Sequence, residues 1–302
     1  MEPIIAASKL TKRFRRMLAV DGLDLTVERG EVFGFLGPNG AGKSTTLRMM
    51  VGLIRPTRGK IQLFGHDAWG EHCSAVRKVG AMIESPAFYK YLSGRDNLRI
   101  LYNTGGSCSS KEIDEALDIV GLLGRANDKV KSYSQGMRQR LGIALAIIGK
   151  PELILLDEPT NGLDPQGMKE VRDLISNLSH DLNLTVFLSS HLLHEVEQIC
   201  ARIAVVNKGR VVESGNVNDL LRQSETYDVH AHPAEAASEA IRGLGWASIE
   251  ATLDGMLNVK LNGGTPAELN KCLVEKGIAV SALIPRKPSL EELYLRLMNE
   301  QC

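Results

Sequence analysis

In Gly37-Pro38-Asn39-Gly40-Ala41-Gly42-Lys43-Ser44-Thr45 the chain carries the pattern G-x-x-x-x-G-K-[ST], which decides its fold. Residues 31–36 before it predict a buried strand, and residues 46–51 after it predict a helix. Glycines let successive N–H groups turn toward phosphate oxygens, and a helix N-terminus adds unpaired N–H groups and a positive dipole end. The flanking strand and helix favour a phosphate-binding loop over an ordinary glycine-rich turn. We expect Lys43 to reach the β- and γ-phosphates and the Ser44 hydroxyl to bind Mg²⁺.

A second apolar run, residues 153–156, ends in two carboxylates, Asp157 and Glu158. A continuous apolar run is typical of a parallel strand that is covered on both faces. Ligands bind at the carboxyl ends of such strands, so we expect Asp157 to hold Mg²⁺, directly or through water, and Glu158 to polarise an attacking water. The alternative is that the two acids only end the strand and bind nothing. The phosphate loop earlier in the chain favours the catalytic and metal-binding interpretation.

A third strand, predicted for residues 184–188, ends in the polar cluster Ser189-Ser190-His191. His191 begins the stretch His191-Leu192-Leu193-His194-Glu195, whose residue order matches neither of the known His/Glu zinc motifs. We therefore interpret His191 as a hydrogen-bonding group that faces a γ-phosphate, and His194 as a helix-surface residue.

Two further segments carry weaker signals. Residues 4–27 read as β-rich with a turn near residue 16, and Phe14 lies beside that turn among cations that favour a solvated loop over a phosphate-steering patch. Phe14 is either a stacking platform for a nucleotide base or an aromatic ring folded back onto the core. Ser134 and Gly136 open a predicted helix that ends near residue 148, which makes its N-terminus a second potential anion site.

The composition excludes several other functions. Lys plus Arg and Asp plus Glu both number 36 in 302 residues, so the net charge of zero argues against nucleic acid as a partner. No apolar run approaches the ~20 residues that span a bilayer, and no signal-like segment opens the chain. We expect a cytoplasmic protein whose membrane role passes through a partner. The scattered cysteines favour free thiols over a zinc site: Cys73, Cys108, Cys200, Cys272 and Cys302.

The remaining elements divide the chain into domains. Helices near residues 94–102 and 111–120 form a small helical block between two parts of an α/β core, and a short helix is predicted near residues 71–77. From residue 226 onward the order β-α-β-β-α-β predicts a small ferredoxin-like domain, with a last amphipathic helix after Ser289. His230 and His232 share one face of its first strand, and we assign them to surface or packing roles.

In this order, the motifs resemble the nucleotide-binding subunit of ATP-binding cassette (ABC) transporters over residues 3–220. The resemblance implies a P-loop ATPase fold with a RecA-like core, an antiparallel β subdomain and a helical subdomain, about residues 85–145. This nucleotide-binding domain spans residues 1–222, and residues 223–302 form an accessory or regulatory domain. The resemblance also implies catalytic roles for Lys43, Glu158 and His191, a D-loop at residues 161–164 and adenine stacking by Phe14.

Two positions depart from the broad family. Tyr133-Ser134-Gln135-Gly136-Met137 stands in place of Leu-Ser-Gly-Gly-Gln, and Glu84 stands where the family has its Q-loop glutamine. The signature variant resembles drug-export ATPases of the bacitracin and daunorubicin resistance type, and the segment around Glu84 resembles the bacitracin-export branch. Glu84 is expected to join Ser44 and Asp157 around Mg²⁺, with its carboxylate coupled to occupancy by the metal.

The resemblance implies ATP and Mg²⁺ as cofactors and a second copy of the chain, closing head-to-tail so that Ser134 and Gly136 complete the opposite site. It also implies an integral membrane permease, reached through the helical block, at the cytoplasmic face of the membrane. The expected function is ATP-driven export of a drug, peptide antibiotic or lipid-like substrate. A soluble ATPase acting on ribosomes or DNA, a regulatory subunit without turnover, and import remain as alternatives.

Overall fold

The computed structural model describes residues 2–69, 75–84, 87–223, 226–253, 255–286 and 289–299. It divides the chain into two compact units, Met1–Asn216 and Val217–Cys302. The boundary predicted after residue 222 lies six residues later in the chain.

The first unit alternates strands and helices. Its strands are β1 (Ile5–Phe14), β2 (Met17–Val27), β3 (Val32–Leu36), β4 (Arg58–Leu63), β5 (His66–Asp67), β6 (Val79–Met82), β7 (Leu153–Asp157), β8 (Thr185–Ser190), β9 (Arg202–Asn207) and β10 (Arg210–Asn216). Its helices are α1 (Lys43–Met50), α2 (Gly94–Asn103), α3 (Ser110–Ile119), α4 (Gln135–Ile147), α5 (Pro165–Leu182) and α6 (Leu193–Ile199).

A six-stranded sheet in the order β10-β9-β3-β8-β7-β6 forms the centre of this unit. Its strands are parallel except β10, and every residue of β3, β7 and β8 is buried. That burial explains the continuous apolar runs of the sequence, because helices and the second sheet exclude water from both faces. Phe187 stacks on Phe33 with ring centroids 5.6 Å apart.

A second, antiparallel sheet has the order β2-β1-β4-β5. β1 and β2 form the predicted hairpin, with Phe14 opposite Met17. The ring of Phe14 is 38% exposed, and Nζ of Lys12 lies 5.0 Å from its centroid. Phe14 is therefore at the surface and does not belong to the buried core cluster.

Helices α2, α3 and α4 form the predicted helical block between β6 and β7. Serine caps fix where each begins: the hydroxyls of Ser93, Ser109 and Ser134 accept hydrogen bonds from the backbone N–H three residues later. The helix predicted near residues 71–77 is wrong in its described part, where residues 76–78 form a single 3₁₀ turn. The remainder of that prediction, residues 71–74, lies outside the described residues.

The second unit begins with α7 (Val217–Gln223). It continues as β11 (Thr226–His232), α8 (Ala234–Arg242), β12 (Ala247–Leu253), β13 (Met256–Leu261), α9 (Pro266–Glu275), β14 (Ala279–Arg286) and α10 (Leu290–Asn299). Its antiparallel sheet has the order β12-β13-β11-β14. After α7, the elements up to β14 follow the β-α-β-β-α-β order that the sequence predicts. Their hydrophobic core lies between one face of the sheet and helices α8 and α9, and it includes Val229, Ile241, Leu257 and Leu269.

Three cysteines fall in the described ranges, and all are free thiols: Cys108, Cys200 and Cys272. Cys200 packs beneath β3, where a Cβ on Gly34 would lie 3.1 Å from its sulfur, and burial raises the pKa of its thiol. Within those ranges no group of three or more His, Cys, Asp or Glu side chains is arranged to hold a metal. None of the helices described is long and apolar enough to cross a membrane.

Gly80 sets the distance between β6 and α4, because a Cβ there would lie 1.9 Å from the carbonyl oxygen of Ala146. Gly80→Ala should lower the unfolding free energy of the first unit by about 2 kcal/mol or more, through a backbone shift that opens the helix–sheet contact. Thermal unfolding measures the effect. Gly105→Ala is the matched control, because a Cβ on Gly105 meets no atom within 4 Å. Equal melting temperatures for the two variants would contradict the prediction.

Candidate nucleotide-binding site

The phosphate loop connects the buried end of β3 to the start of α1 at Lys43. Gly42 has φ 100°, and a Cβ on it would lie 2.4 Å from the carbonyl oxygen of Ala19. Only glycine meets both conditions, so the last glycine of the motif fixes the turn into the helix. No side chain in the described residues caps α1, which leaves its first N–H groups for a ligand in the loop.

The loop borders a cavity of about 670 Å³. This volume is typical of sites for small ligands and cofactors. Its lining comprises Met17, Leu18, Ala19, Pro38, Asn39, Gly40, Gly42, Lys43, Ser44, Thr45, Glu158, Asn161, His191 and Lys208. The cavity thus brings together the phosphate loop, the acid that follows β7 and the histidine that follows β8, as the sequence predicts.

Phe14 and two residues of the loop lie elsewhere. Phe14 is not part of this lining, and the start of β2, residues 17–19, supplies the apolar wall instead. Ala41 is buried behind the loop, and the carbonyl of Gly37 accepts a hydrogen bond from Lys43 Nζ at 2.7 Å. These two residues shape the loop from behind, whereas the other seven of residues 37–45 face the cavity.

Lys43 and Glu158 form an ion pair at the floor of the cavity. Lys43 is buried, and its Nζ lies 3.1 Å from Oε1 of Glu158. The other carboxylate oxygen, Oε2, lies 2.5 Å from Nδ1 of His191. Glu158 also has φ 51°, and its N–H donates to the Ser189 hydroxyl at 3.1 Å. Backbone and side chain together therefore hold this acid between a cation and an imidazole.

Asp157 is the last residue of β7 and is buried beside the loop. Its Oδ1 accepts a hydrogen bond of 2.5 Å from the Ser189 hydroxyl on the neighbouring strand. A smaller cavity of about 360 Å³ joins it to the Ser44 hydroxyl, with a lining of Ser44, Glu84, Gln135, Gln139, Asp157, Glu158, Asn161 and Gly162. This donor set fits Mg²⁺, which proteins hold by one or two carboxylates and hydroxyls together with substrate phosphates.

Glu84 follows β6 and lines the smaller cavity, as expected for a residue near the metal. Its backbone is left-handed, with φ 67°, and its side chain is 67% exposed. The carboxylate does not point freely at the site, because it forms an ion pair with the guanidinium of Arg48 on α1. The sequence interpretation overlooked Arg48, whose place five residues after Lys43 was the available signal.

Ser134 and Gly136 line neither cavity. Ser134 caps α4 with a hydrogen bond of 3.1 Å from Met137 N, and the adjacent Tyr133 is buried, with its hydroxyl donating to the Arg125 carbonyl at 2.7 Å. That burial raises the pKa of the Tyr133 hydroxyl. Within one chain Ser134 and Gly136 therefore do not reach the cavity of the phosphate loop, although Gln135 between them lines the smaller cavity with Ser44.

Three further residues belong to the site, and two of them, Gln139 and Lys208, lie outside the sequence motifs. Gln135 packs against Gly162, where a Cβ would lie 2.7 Å from its Nε2, so the unusual signature residue contacts the D-loop of its own chain. Gln139 lies one turn further along α4, is buried and faces the smaller cavity. Lys208 enters the larger cavity from the turn between β9 and β10. Such contacts depend on which turns adjoin the sheet edge, which no local pattern encodes.

Comparisons with known proteins agree with this geometry. A family model described as ABC transporter matches residues 20–161. The bacitracin transport ATP-binding protein BcrA of Bacillus licheniformis is 38% identical over 301 residues, which cover 99% of this chain and 98% of that protein. The daunorubicin resistance ATP-binding protein DrrA3 of Streptomyces coeruleorubidus is 35% identical over 297 residues, covering 96% and 94%.

A solved structure is similar to most of the chain. CbiO1 from Clostridium perfringens, described as part of the ABC transporter complex CbiONQ, aligns with a TM-score of 0.67 at 24% identity. The alignment covers 74% of this chain and 92% of that one. It shows the ABC ATPase fold, and the similarity to the bacitracin and daunorubicin proteins extends over both units. The chain therefore belongs to the ATP-binding proteins of the ABC transporter family and is an ATP-hydrolysing transporter subunit.

Proposed function

We propose that this chain hydrolyses Mg²⁺-ATP in the cavity of the phosphate loop and thereby drives an exporter. The observation that carries the proposal is the placement of Glu158, held by Lys43 and His191 at the edge where the phosphate loop begins. An acid in that place faces the site of a γ-phosphate and can orient an attacking water.

The residues of the site divide the work of binding. The N–H groups of the loop and the start of α1 receive the phosphates, and Lys43 neutralises their charge. Ser44 and Asp157 would hold Mg²⁺, with Glu84 at its rim. The metal supplies charge neutralisation of the phosphate oxygens.

The ion pair between Lys43 and Glu158 links the binding of ATP to the activation of Glu158. A triphosphate in the loop offers Lys43 a partner of higher charge, so Glu158 keeps only His191 as its partner. The freed carboxylate then accepts a hydrogen bond from water, and His191 holds it toward the γ-phosphate. Binding and activation are thereby linked, as a ligand-biased switch requires.

A second copy of the chain completes the site. Ser134 and Gly136 lie outside both cavities of their own chain, yet they stand at an α-helix N-terminus suited to an anion. We infer a head-to-tail homodimer in which this loop covers the γ-phosphate bound by the partner. ATP closes the dimer and hydrolysis reopens it.

Transport requires a membrane partner, because none of the described helices crosses a membrane. We infer an integral permease, contacted through the helical block from the cytoplasmic face. The names of the bacitracin and daunorubicin proteins point to export of a drug or peptide antibiotic rather than import. The zero net charge gives no support for a ribosome or DNA as partner.

The second unit is proposed to be a ferredoxin-like accessory domain. Its four-stranded antiparallel sheet, with α8 and α9 packed on one face, supports that assignment. A regulatory or dimer-stabilising role fits it best, because its described residues contain no catalytic constellation comparable to that of the first unit.

Glu158→Gln should lower the rate of ATP hydrolysis by about 100-fold or more, because the amide cannot accept the proton of water. ATP binding should persist, since Lys43 no longer has a carboxylate competing with the phosphates. Phosphate release and binding of a fluorescent ATP analogue measure the two effects. Glu152→Gln is the control, because this acid lies just before β7, at the opposite edge of the sheet. Near-normal turnover by Glu158→Gln would refute the role of this acid.

In the proposed head-to-tail dimer each ATP site contains residues of both chains, and mixing two inactive variants tests this arrangement. Lys43→Ala disables the phosphate loop, and Ser134→Asp adds a charge that repels phosphate while still capping α4. Each chain alone should be inactive. An equal mixture should recover about a quarter of the unchanged ATPase rate, because half of the dimers are mixed and each has one intact site. A mixture no more active than its separate components would contradict the head-to-tail dimer.

A further inference from the structure

Arg48 and Glu84 form an ion pair at the rim of the proposed metal site. Arg48 belongs to the last turn of α1, the helix that begins with Lys43, and Glu84 follows the end of β6. One guanidinium nitrogen, Nη2, contacts Oε1 of the carboxylate. The arginine side chain is 32% exposed, so the pair stands at the boundary between the cavity and solvent.

Three acidic residues line the smaller cavity: Glu84, Asp157 and Glu158. Glu158 has two partners, Lys43 and His191, and Asp157 is hydrogen-bonded to Ser189. A triphosphate bound in the adjoining loop adds more negative charge to the same place. Without a cation beside it, the carboxylate of Glu84, which is 67% exposed, would repel the nucleotide across the rim of the cavity, and added salt would weaken that repulsion.

The backbone fixes both members of the pair. Glu84 has a left-handed φ of 67°, and its side chain reaches Arg48 on α1. α1 is anchored by the buried Leu47, Met49 and Met50, and the carbonyl of Arg48 accepts hydrogen bonds from the N–H groups of Leu53 and Ile54 at 2.9 and 3.2 Å. Arg48 is thus held on a rigid helix that also forms the phosphate loop.

We propose that Arg48 is a positioning residue that neutralises Glu84 and holds its carboxylate at the rim of the metal site. The inference rests on the proposed Mg²⁺-ATP site and assigns a role to a residue outside its motifs. It has a specific consequence: Arg48 is required because residue 84 is a carboxylate. With a neutral glutamine at position 84, the guanidinium of Arg48 has no carboxylate to neutralise.

The test measures binding without turnover. A fluorescent, non-hydrolysable ATP analogue is titrated into the full chain, first in EDTA and then with Mg²⁺. The variants are Arg48→Gln, Arg48→Lys, Glu84→Gln and the double variant Arg48→Gln/Glu84→Gln. Arg29→Gln is the matched control, because it removes one arginine from the Arg29–Glu152 pair at the opposite edge of the same sheet.

In EDTA, Arg48→Gln should weaken binding by about tenfold, which is within the usual coupling between residues that share an ion pair. Mg²⁺ should recover much of this loss, because the unpaired Glu84 then adds a ligand for the cation. Arg48→Lys, which keeps the charge, should bind within about threefold of the unchanged chain. In the Glu84→Gln background, Arg48→Gln should change binding by less than about twofold, and Arg29→Gln should have no effect.

Equal losses from Arg48→Gln with glutamate or with glutamine at position 84 would overturn the inference, because Arg48 would then act on the nucleotide or the helix by itself. Unchanged binding by Arg48→Gln would also overturn it. Failure of the unchanged chain to bind the analogue would instead refute the proposed function, and this inference with it. Thermal unfolding of each variant identifies any loss that comes from misfolding.

Discussion

The site depends on the parallel pairing of β3, β8 and β7. In this register Leu36 pairs with Ser190, and Asp157 pairs with Ser189, so the three strands end at one edge of the sheet. Residues separated by more than a hundred positions in the chain therefore meet within hydrogen-bond distance. A shift of one residue in either strand pair would turn Asp157 or Ser189 to the other face of the sheet, and the residues of the site would no longer meet. The buried apolar faces of the strands make that shift costly.

Charge is balanced closely at this edge. Lys43 is buried with Glu158 as its counter-ion, because an isolated ammonium in such a place would be strongly destabilised. Glu84 is balanced by Arg48 in the same way. Both pairs place a cation of α1 against an acid at the carboxyl edge of the sheet. The phosphate-loop helix thus supplies the countercharge for the acids as well as the N–H groups for the phosphates.

The residues of the proposed ATP site come from two different parts of the first unit. Phosphate loop, metal-side acids and His191 come from one sheet edge, whereas the signature loop begins a helix of the separate helical block. Among the described residues, Ser134 and Gly136 line neither of the two cavities beside the phosphate loop. In the head-to-tail dimer that we propose, a second copy of the chain would supply the covering surface.

Local patterns predicted most elements of both units, because periodicity, caps and breakers act over a few residues. The prediction was less accurate where the helical pattern was only a few residues long. The helix expected near residues 71–77 is a single turn in its described part. The same limit applies to Phe14, which local context left between stacking and core and which the structure leaves exposed beside Lys12.

By itself the sequence determined the phosphate loop, the two acids at the end of β7 and the histidine after β8, since each motif has its own spacing and its own strand. Only the tertiary structure decided their partners. The pairing of Lys43 with Glu158, of Ser189 with Asp157 and of Arg48 with Glu84 joins residues 32 to 115 positions apart. Such contacts arise from the order of strands and the placement of α1 on the sheet, which long-range packing sets and no local pattern records.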